Sequence, residues 1–516
     1  MPWTRSEGER RENRFRPGLS FRRRSALAGA LLLTPGTLGQ EQAGSTRPDE
    51  PETRIERSAR LELGRRVRPA NDAGALQITG DGITVELVGE LRGAGAEAAP
   101  DTFTGVGIRV SGKNVTLRGA RVAGYRVGIH AVAADGLVLE DCDVSGNFRQ
   151  HLRSTREKEA REDWLEPHAN DAHEWFTRYG AGIHVERSSG LTVRRCRARA
   201  GQNGLVLERV EKAQVYDNDF SFLSGWGIAL WRSSDNVLAG NACDFCIRGY
   251  SHGVYNRGQD SAGILLFEQC SRNSILGNTA NYCGDGLFAF AGQEALGSDQ
   301  ARRGTNDNVI MANDLSHAAA HGLELTFSFG NRIIANRMRG NAICGIWAGY
   351  SRDTEINGNQ LMENGDAGYG LERGGINIEH GQRNQIVGNG FQRNTCGLHL
   401  WWDDDEALAK LPWTLRNGHE SRDNCVQGNT FSGDELALHL RETAGTRVHS
   451  NVFQDTVPEQ ATTGSESIDE SCSATHSPLP ELPSYFRPLA PHEPIGGREL
   501  IQLDEWGPLE PLTDAK

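Results

Sequence analysis

The 516-residue sequence predicts an all-β solenoid of short stacked strands, and three observations carry that prediction. First, a segment of the form glycine, apolar, any, apolar recurs down the chain, beginning with Gly107-Ile-Arg-Val, Gly128-Ile-His-Ala, Gly182-Ile-His-Val and Gly204-Leu-Val-Leu. It continues through Gly227, Gly263, Gly286, Gly322, Gly345, Gly375 and Gly397, and closes without its glycine at Leu436-Ala-Leu-His-Leu. Second, about a dozen residues after each comes Asn, any, apolar, any, any, Asn, as in Asn236/Asn241, Asn273/Asn278, Asn308/Asn313, Asn331/Asn336, Asn384/Asn389 and Asn424/Asn429. Third, Gly makes up 62 of 516 residues, about 12% against an average near ~7%, while Pro is not raised.

Where no insertion intervenes the spacing is 22 or 23 residues, from Asn313 to Asn336 to Asn359 and from Asn429 to Asn451. That length suits one coil of three short strands with tight turns. Glycine is expected to supply the positive φ of those turns. Asn tolerates the left-handed conformation and can bond its equivalent one coil along. A leucine-rich repeat of similar period needs a dense Leu pattern with a helical half, which this chain lacks.

With these motifs the chain resembles the right-handed parallel β-helix proteins, the broad group that includes pectate lyases, polygalacturonases, mannuronan epimerases and NosD-like periplasmic proteins. The resemblance spans roughly 70–455 and begins at Leu76-Gln-Ile-Thr-Gly-Asp-Gly-Ile-Thr-Val-Glu-Leu. It implies a right-handed single-stranded parallel β-helix of about a dozen coils, and three chemistries: hydrolysis, β-elimination or uronate epimerisation. The repeat itself carries no catalytic information.

The other segments follow in order. Residues 1–45 combine an Arg-rich stretch ending Arg22-Arg23-Arg24 with a short apolar segment, Ala26 to Leu33. They read as an export signal of twin-arginine type with a disordered N-terminus, so a periplasmic or extracellular location is expected. Residues 46–69 read as a linker, 456–495 as a Pro/Ser-rich linker and 496–516 as a short segment. That last segment either covers the open solenoid end or docks a partner. No run of ~20 apolar residues occurs, and a net charge of -13 disfavours nucleic acid as a partner. A monomer is expected.

Ten Cys in an exported chain invite a disulfide reading. Cys142 and Cys196, however, sit where Asn241 and Asn278 stand in later coils, and Cys246 and Cys283 lie five residues past that asparagine. Stacked buried thiols are the reading, with a disulfide inside either pair as the alternative.

In the glycine strand, period 2 puts the apolar positions inside and the intervening ones outside. Two after glycine the outward row holds Arg109, His130, His184, Val206, Ala229, Leu265, Phe288, Glu324, Trp347, Asn377, His399 and His439. Four after glycine it holds Glu186, Glu208, Trp231, Phe267, Phe290, Thr326, Glu379, Trp401 and Arg441, among others. An idle solvated face would be Ser, Thr, Lys and Asn; this one is aromatic, His and Glu. Five insertions (148–180, 244–261, 292–306, 365–373 and 401–422) flank the same strand column, where binding and catalysis concentrate. The first reads as a charged helical lid carrying Trp164, His168, Asp171, His173 and Trp175.

A long groove of this make-up fits a polysaccharide or oligosaccharide. Trp231, Trp347, Trp401 and Trp402 are expected to stack on sugar rings, with His184, Arg248, His252, Tyr255, Arg257, Asn377 and His399 as polar contacts. Glycosidic cleavage usually takes two carboxylates. The first choice is Glu324 with Asp285 or Asp260, beside His321; Glu379 lies two coils on. Glu186 and Glu208, in consecutive coils next to His184, are the second choice. Strict alternation would turn Asp285 and His321 inward, as a buried structural pair. No cofactor is firmly implied, although Asp403 and Asp405 could hold Ca²⁺. With only five Lys, none on the outward positions, a lysine-based lyase is disfavoured. Few Met and no His/Met-rich tract count against copper handling. The expected function is an exported polysaccharide-active glycoside hydrolase; the alternatives are a lyase or epimerase on the same fold, or a non-catalytic binding protein.

Overall fold

A computed structural model describes residues 53–64, 67–251, 258–368, 370–461, 465, 467–472, 479, 481–489 and 496–510. The export-type segment 1–45 lies outside these residues, as do His252, Tyr255 and Arg257.

Two parallel sheets of fifteen strands each run the length of the solenoid. One holds every glycine strand and extends from Thr53–Ile55 to Val457–Ala461; the other, which carries the Asn-x-apolar segments, extends from Ala59–Glu62 to Ser467–Ile468. Regular pairing therefore passes both limits, 70 and 455, read from the repeat. A third sheet of five strands closes the C-terminal coils. Like residues stack coil on coil: Ile310, Ile333, Ile356 and Ile386 pair in register, and all belong to one interior core.

The asparagines form continuous ladders. Asn241, Asn278, Asn313, Asn336, Asn359, Asn389, Asn429 and Asn451 each donate from Nδ2 to Oδ1 of the next, at 2.9–3.1 Å. A further ladder, Asn341 to Asn364 to Asn394 to Asp434, lies five residues past the first, where Asn336/Asn341, Asn359/Asn364 and Asn389/Asn394 repeat the same motif spacing. The left-handed residue is the one before each ladder Asn, not the Asn itself: Gly240 (φ 63), Ala312 (φ 56), Ala335 (φ 51) and Gly358 (φ 64).

The column glycines serve a different purpose from the one expected, because none of them has a positive φ. A Cβ on Gly286 would lie 2.5 Å from the Gly322 carbonyl oxygen and 3.0 Å from Leu315 Cβ; one on Gly263 would lie 2.5 Å from Ala280 Cβ. The glycine permits close approach of backbone and core. It also turns its own missing side chain inward beside an inward apolar residue, so alternation slips by one there.

Eight cysteines are free and buried, including Cys142, Cys196, Cys246 and Cys283. The disulfide joins Cys425 to Cys472 instead, two residues the repeat does not relate. The C-terminal segment runs back along the flank of the middle coils rather than over the solenoid end. Tyr485 stacks on Tyr216 at 4.0 Å, Tyr282 Oη donates to the Gly496 carbonyl at 2.9 Å, and Ile501 packs with Ile247 and Ala319. Among the described residues no helix is long and apolar enough to cross a membrane.

Candidate functional site

The slip at the column glycine decides which side chains share the outer face. Ala181, Trp226 and Ala262, each just before its glycine, pack in one cluster with Val206, Ala229 and Leu265, which stand two after it, and with Trp231 and Phe267. The position before the glycine therefore faces outward. Asp285 and His321 occupy that position and join Glu324 on the outer face, correcting the inward orientation that strict alternation predicts.

The face is not an open groove along its length. The first insertion descends onto it without becoming a helical lid; its regular parts are single turns at Arg161–Asp163 and Trp175–Tyr179. Trp175 is fully buried, 4.5 Å from Trp226 and 5.2 Å from Trp231 by ring centroids. His168 meets Phe267 and Phe290 at 5.1 and 5.0 Å. From the other side Trp413, in the short helix Pro412–Asn417, packs on Phe327, Phe329 and Tyr350. This second apolar core takes Trp231 out of any sugar-stacking role. Arg248 is likewise buried, donating to the carbonyls of Asp163 and Ser224 and to Gln150. It anchors the insertion.

Among the described residues three clusters of titratable groups remain. In the first, Asp285, His321 and Glu324 offer ligand-type atoms that all lie within 4.8 Å of one another. The His321 backbone N–H donates to Asp285 Oδ1 at 2.9 Å. Trp347, half-buried, stacks on the His321 ring at 5.5 Å and 23°. Burial pushes the Asp260 carboxyl up to about 7. It pushes Asp285 up to about 8, against the pull of the His321 N–H and with added repulsion from Asp260. Glu324 stands well above the ordinary carboxylate range, through burial first and then repulsion from Asp285 and Asp260. Burial holds the His321 imidazole down at about 3, hence neutral, and its Nδ1 is buried without a hydrogen-bond partner. Three carboxylates crowded in a low-dielectric site cannot all ionise near neutrality.

The second cluster holds Glu186 and Glu208, paired directly across adjacent strands, with His130, His173 and His184. His130 Nε2 bonds Glu186 Oε1 at 2.7 Å, while Arg109 Nη1 lies 3.3 Å from its Nδ1. Burial pushes Glu186 up, but the His130 hydrogen bond and the neighbouring positive charges outweigh it and leave the carboxyl at about 2. Burial also pushes Glu208 up, but the neighbouring His184 outweighs it and leaves the carboxyl lowered. Both are carboxylates at neutral pH.

The third cluster joins Glu379, His380 and Asp403, with His380 Nε2 3.3 Å from Glu379 Oε1. Glu379 thus belongs to a group other than that of Glu324. Asp405, the other Ca²⁺ candidate, is not in this cluster. It caps the short helix Glu406–Ala409, its Oδ1 accepting from Ala407 N and Leu408 N at 3.0 and 3.1 Å. Trp401 is buried, donating from Nε1 to Asn377 Oδ1 at 2.7 Å. His399 lies under it, with ring centroids 5.6 Å apart. Trp402 is half-buried against His419 at 5.3 Å.

The family described as right handed beta helix region matches residues 169–299. The fold of the chain is a right-handed parallel β-helix. A second family, described as periplasmic copper-binding protein (NosD), matches residues 301–408 of this β-helix. No curated protein matches the sequence. Among solved structures, a mutant of the periplasmic alginate epimerase AlgG has 10% identity and a TM-score of 0.37, over 75% of this chain and 77% of that one. The Azotobacter vinelandii mannuronan C-5 epimerase AlgE6 A-module has 14% identity and a TM-score of 0.32, over 78% and 88%. DFA-IIIase from Arthrobacter chlorophenolicus has 12% identity and a TM-score of 0.33, over 70% and 68%. Likeness at this level says nothing of what this β-helix acts on.

Proposed function

We propose that this protein is an exported glycoside hydrolase acting on a polysaccharide, with Glu324 as general acid and Asp285 as nucleophile. The carrying observation is the close pair itself, with oxygens of Asp285 and Glu324 within 4.8 Å. That spacing fits the ~5 Å separation of retaining enzymes and falls short of the ~6.5–9.5 Å an inverting enzyme needs for its water. Their surroundings divide the roles. Asp285 receives the His321 N–H, which favours its ionised form; burial, and after it repulsion from Asp285 and Asp260, keeps the proton on Glu324.

In the first step the Asp285 carboxylate bonds to the anomeric carbon as the glycosidic C–O bond breaks and the Glu324 proton passes to the leaving oxygen. In the second, Glu324 takes a proton from water as that water's oxygen displaces Asp285. Glu186 and Glu208 fit less well, since neither holds a proton for the leaving group near neutral pH. The Arg-rich and apolar segment over 1–45 supports export.

The family match over 301–408 favours a second reading, a non-catalytic β-helix that binds carbohydrate or assists a metal centre. Incubation with a polysaccharide panel separates the readings. New reducing ends with retained anomeric configuration, abolished in Glu324→Gln with binding kept, are expected. Ultraviolet-absorbing unsaturated ends point to a lyase, altered uronate signals by NMR to an epimerase, and binding without any product to the second reading.

A further inference from the structure

We propose that the second cluster is a binding site for one divalent first-row transition-metal ion, held by His173, His184, Glu186 and Glu208. The inference does not rest on the hydrolase reading, and the site lies outside the residues matched to the copper-binding family. His173 Nδ1 and one oxygen each from Glu186 and Glu208 lie within 4.8 Å of one another. His184 is fully buried, neither of its ring nitrogens has a hydrogen-bond partner, and its Nε2 points at Glu208 Oε2 from 3.7 Å. A buried imidazole normally satisfies at least one nitrogen; a cation between His184 Nε2 and the Glu208 carboxylate would satisfy both groups.

The spacing fits an ion. Ligands on a tetrahedral centre with bonds of ~2.1 Å stand roughly 3.4 Å apart. His184 stands 3.7 Å from Glu208 and His173 4.0 Å from Glu186. Small side-chain movements close them around a metal. Two imidazoles and two carboxylates suit Zn²⁺, Mn²⁺ or Fe²⁺ better than an all-oxygen ion such as Ca²⁺.

The surroundings orient the ligands. His130 donates to Glu186 Oε1 at 2.7 Å, because Arg109 beside its Nδ1 fixes the tautomer. Asn170 Nδ2 donates to Glu208 Oε2 at 3.3 Å. Arg209 pairs with Glu208 Oε1 at 2.5 Å, leaving Oε2 to the site; Arg187 meets Glu186 Oε2 at 2.9 Å, on an oxygen with two lone pairs. The His173 side chain is 46% exposed and gives an ion a way in.

The test is calorimetric titration of Zn²⁺ into the full chain after chelator treatment at pH 7.5. One equivalent is expected to bind, with affinity at least tenfold weaker in Glu208→Gln and in His173→Ala. His173 is half-exposed, so its variant keeps the test valid even where replacing buried His184 prevents folding; circular dichroism checks each protein. With Cu²⁺ as a spin probe, two nitrogen couplings are expected, one of them lost in His173→Ala. No uptake by folded protein, or uptake that both variants leave unchanged, overturns the proposal.

Discussion

The backbone N–H of His321 donates to Asp285 Oδ1 at 2.9 Å, linking the residue before the glycine in one coil to its counterpart in the next. That bond holds a buried carboxylate beside Glu324 in a site that favours the protonated form. An acid raised on folding makes the native state bind more protons than the unfolded chain. Its stabilising contribution is therefore full below the unfolded pKa and is lost as pH rises through the folded value. For Asp285 the window runs from ~4, the ordinary Asp value, to about 8. Asp285→Asn keeps an acceptor for the His321 N–H and cannot ionise. At ~1.4 kcal/mol per pH unit across that window, it should gain up to about 5 kcal/mol relative to the parent at pH 8 and almost nothing at pH 4. Urea unfolding at both pH values measures this; equal differences at the two would remove Asp285 from the titrating set.

The same carboxylates set the pH dependence of turnover. Activity should rise as the first of the coupled carboxylates, raised to about 7 and about 8 at Asp260 and Asp285, ionises. It should fall at higher pH as Glu324 gives up the last proton. A kcat/KM profile peaking above pH 7 is expected. An optimum at pH 4–5, where isolated carboxylates work, would falsify the crowded-site account.

The Asn ladder is a stability element whose cost of interruption can be measured. Asn336 accepts at Oδ1 from the Asn313 backbone and side chain, and donates from Nδ2 to Asn359 and the Ile310 carbonyl, all at 2.8–3.0 Å. Asn336→Ala strands buried partners on both sides. A loss of roughly 2–4 kcal/mol is predicted from denaturant midpoints; a change below ~0.5 kcal/mol would mean that water replaces the ladder.

Cys425–Cys472 closes a 47-residue separation at the C-terminal coils. Cys472→Ser should cost up to ~4 kcal/mol by the loop-entropy relation. Amide exchange should accelerate in the last coils, with the Asp285–Glu324 region unaffected. The other eight thiols are buried, so a thiol reagent should label none in the native protein and eight after denaturation. Native labelling near stoichiometric levels contradicts this core.

Much of this was legible because a solenoid writes its structure locally. Glu324, Asp285, Asp260 and His321 could be placed on neighbouring coils from period alone, and Glu186 opposite Glu208 from the same count. The Asn341–Asp434 ladder was missed although it repeats the motif's spacing one step further on, and the disulfide because Cys472 lies beyond the repeat. The sugar-stacking assignment of Trp231 failed for another reason: an aromatic on an outward position is equally at home under an insertion, and Trp175 covers it.

The division between sequence and tertiary structure has a physical basis. Coil length, strand column and the outward positions two and four after glycine follow from backbone periodicity, which any one coil displays on its own. Whether the residue before the glycine faces out depends on how closely adjacent coils approach, since the missing Cβ of Gly286 would meet the Gly322 carbonyl oxygen. Which outward residues stay reachable depends on where the insertions fold back. Those are contacts between residues distant in the chain, and they left Asp285 and Glu324 beside a half-buried Trp347 while sealing Trp231 in a second core.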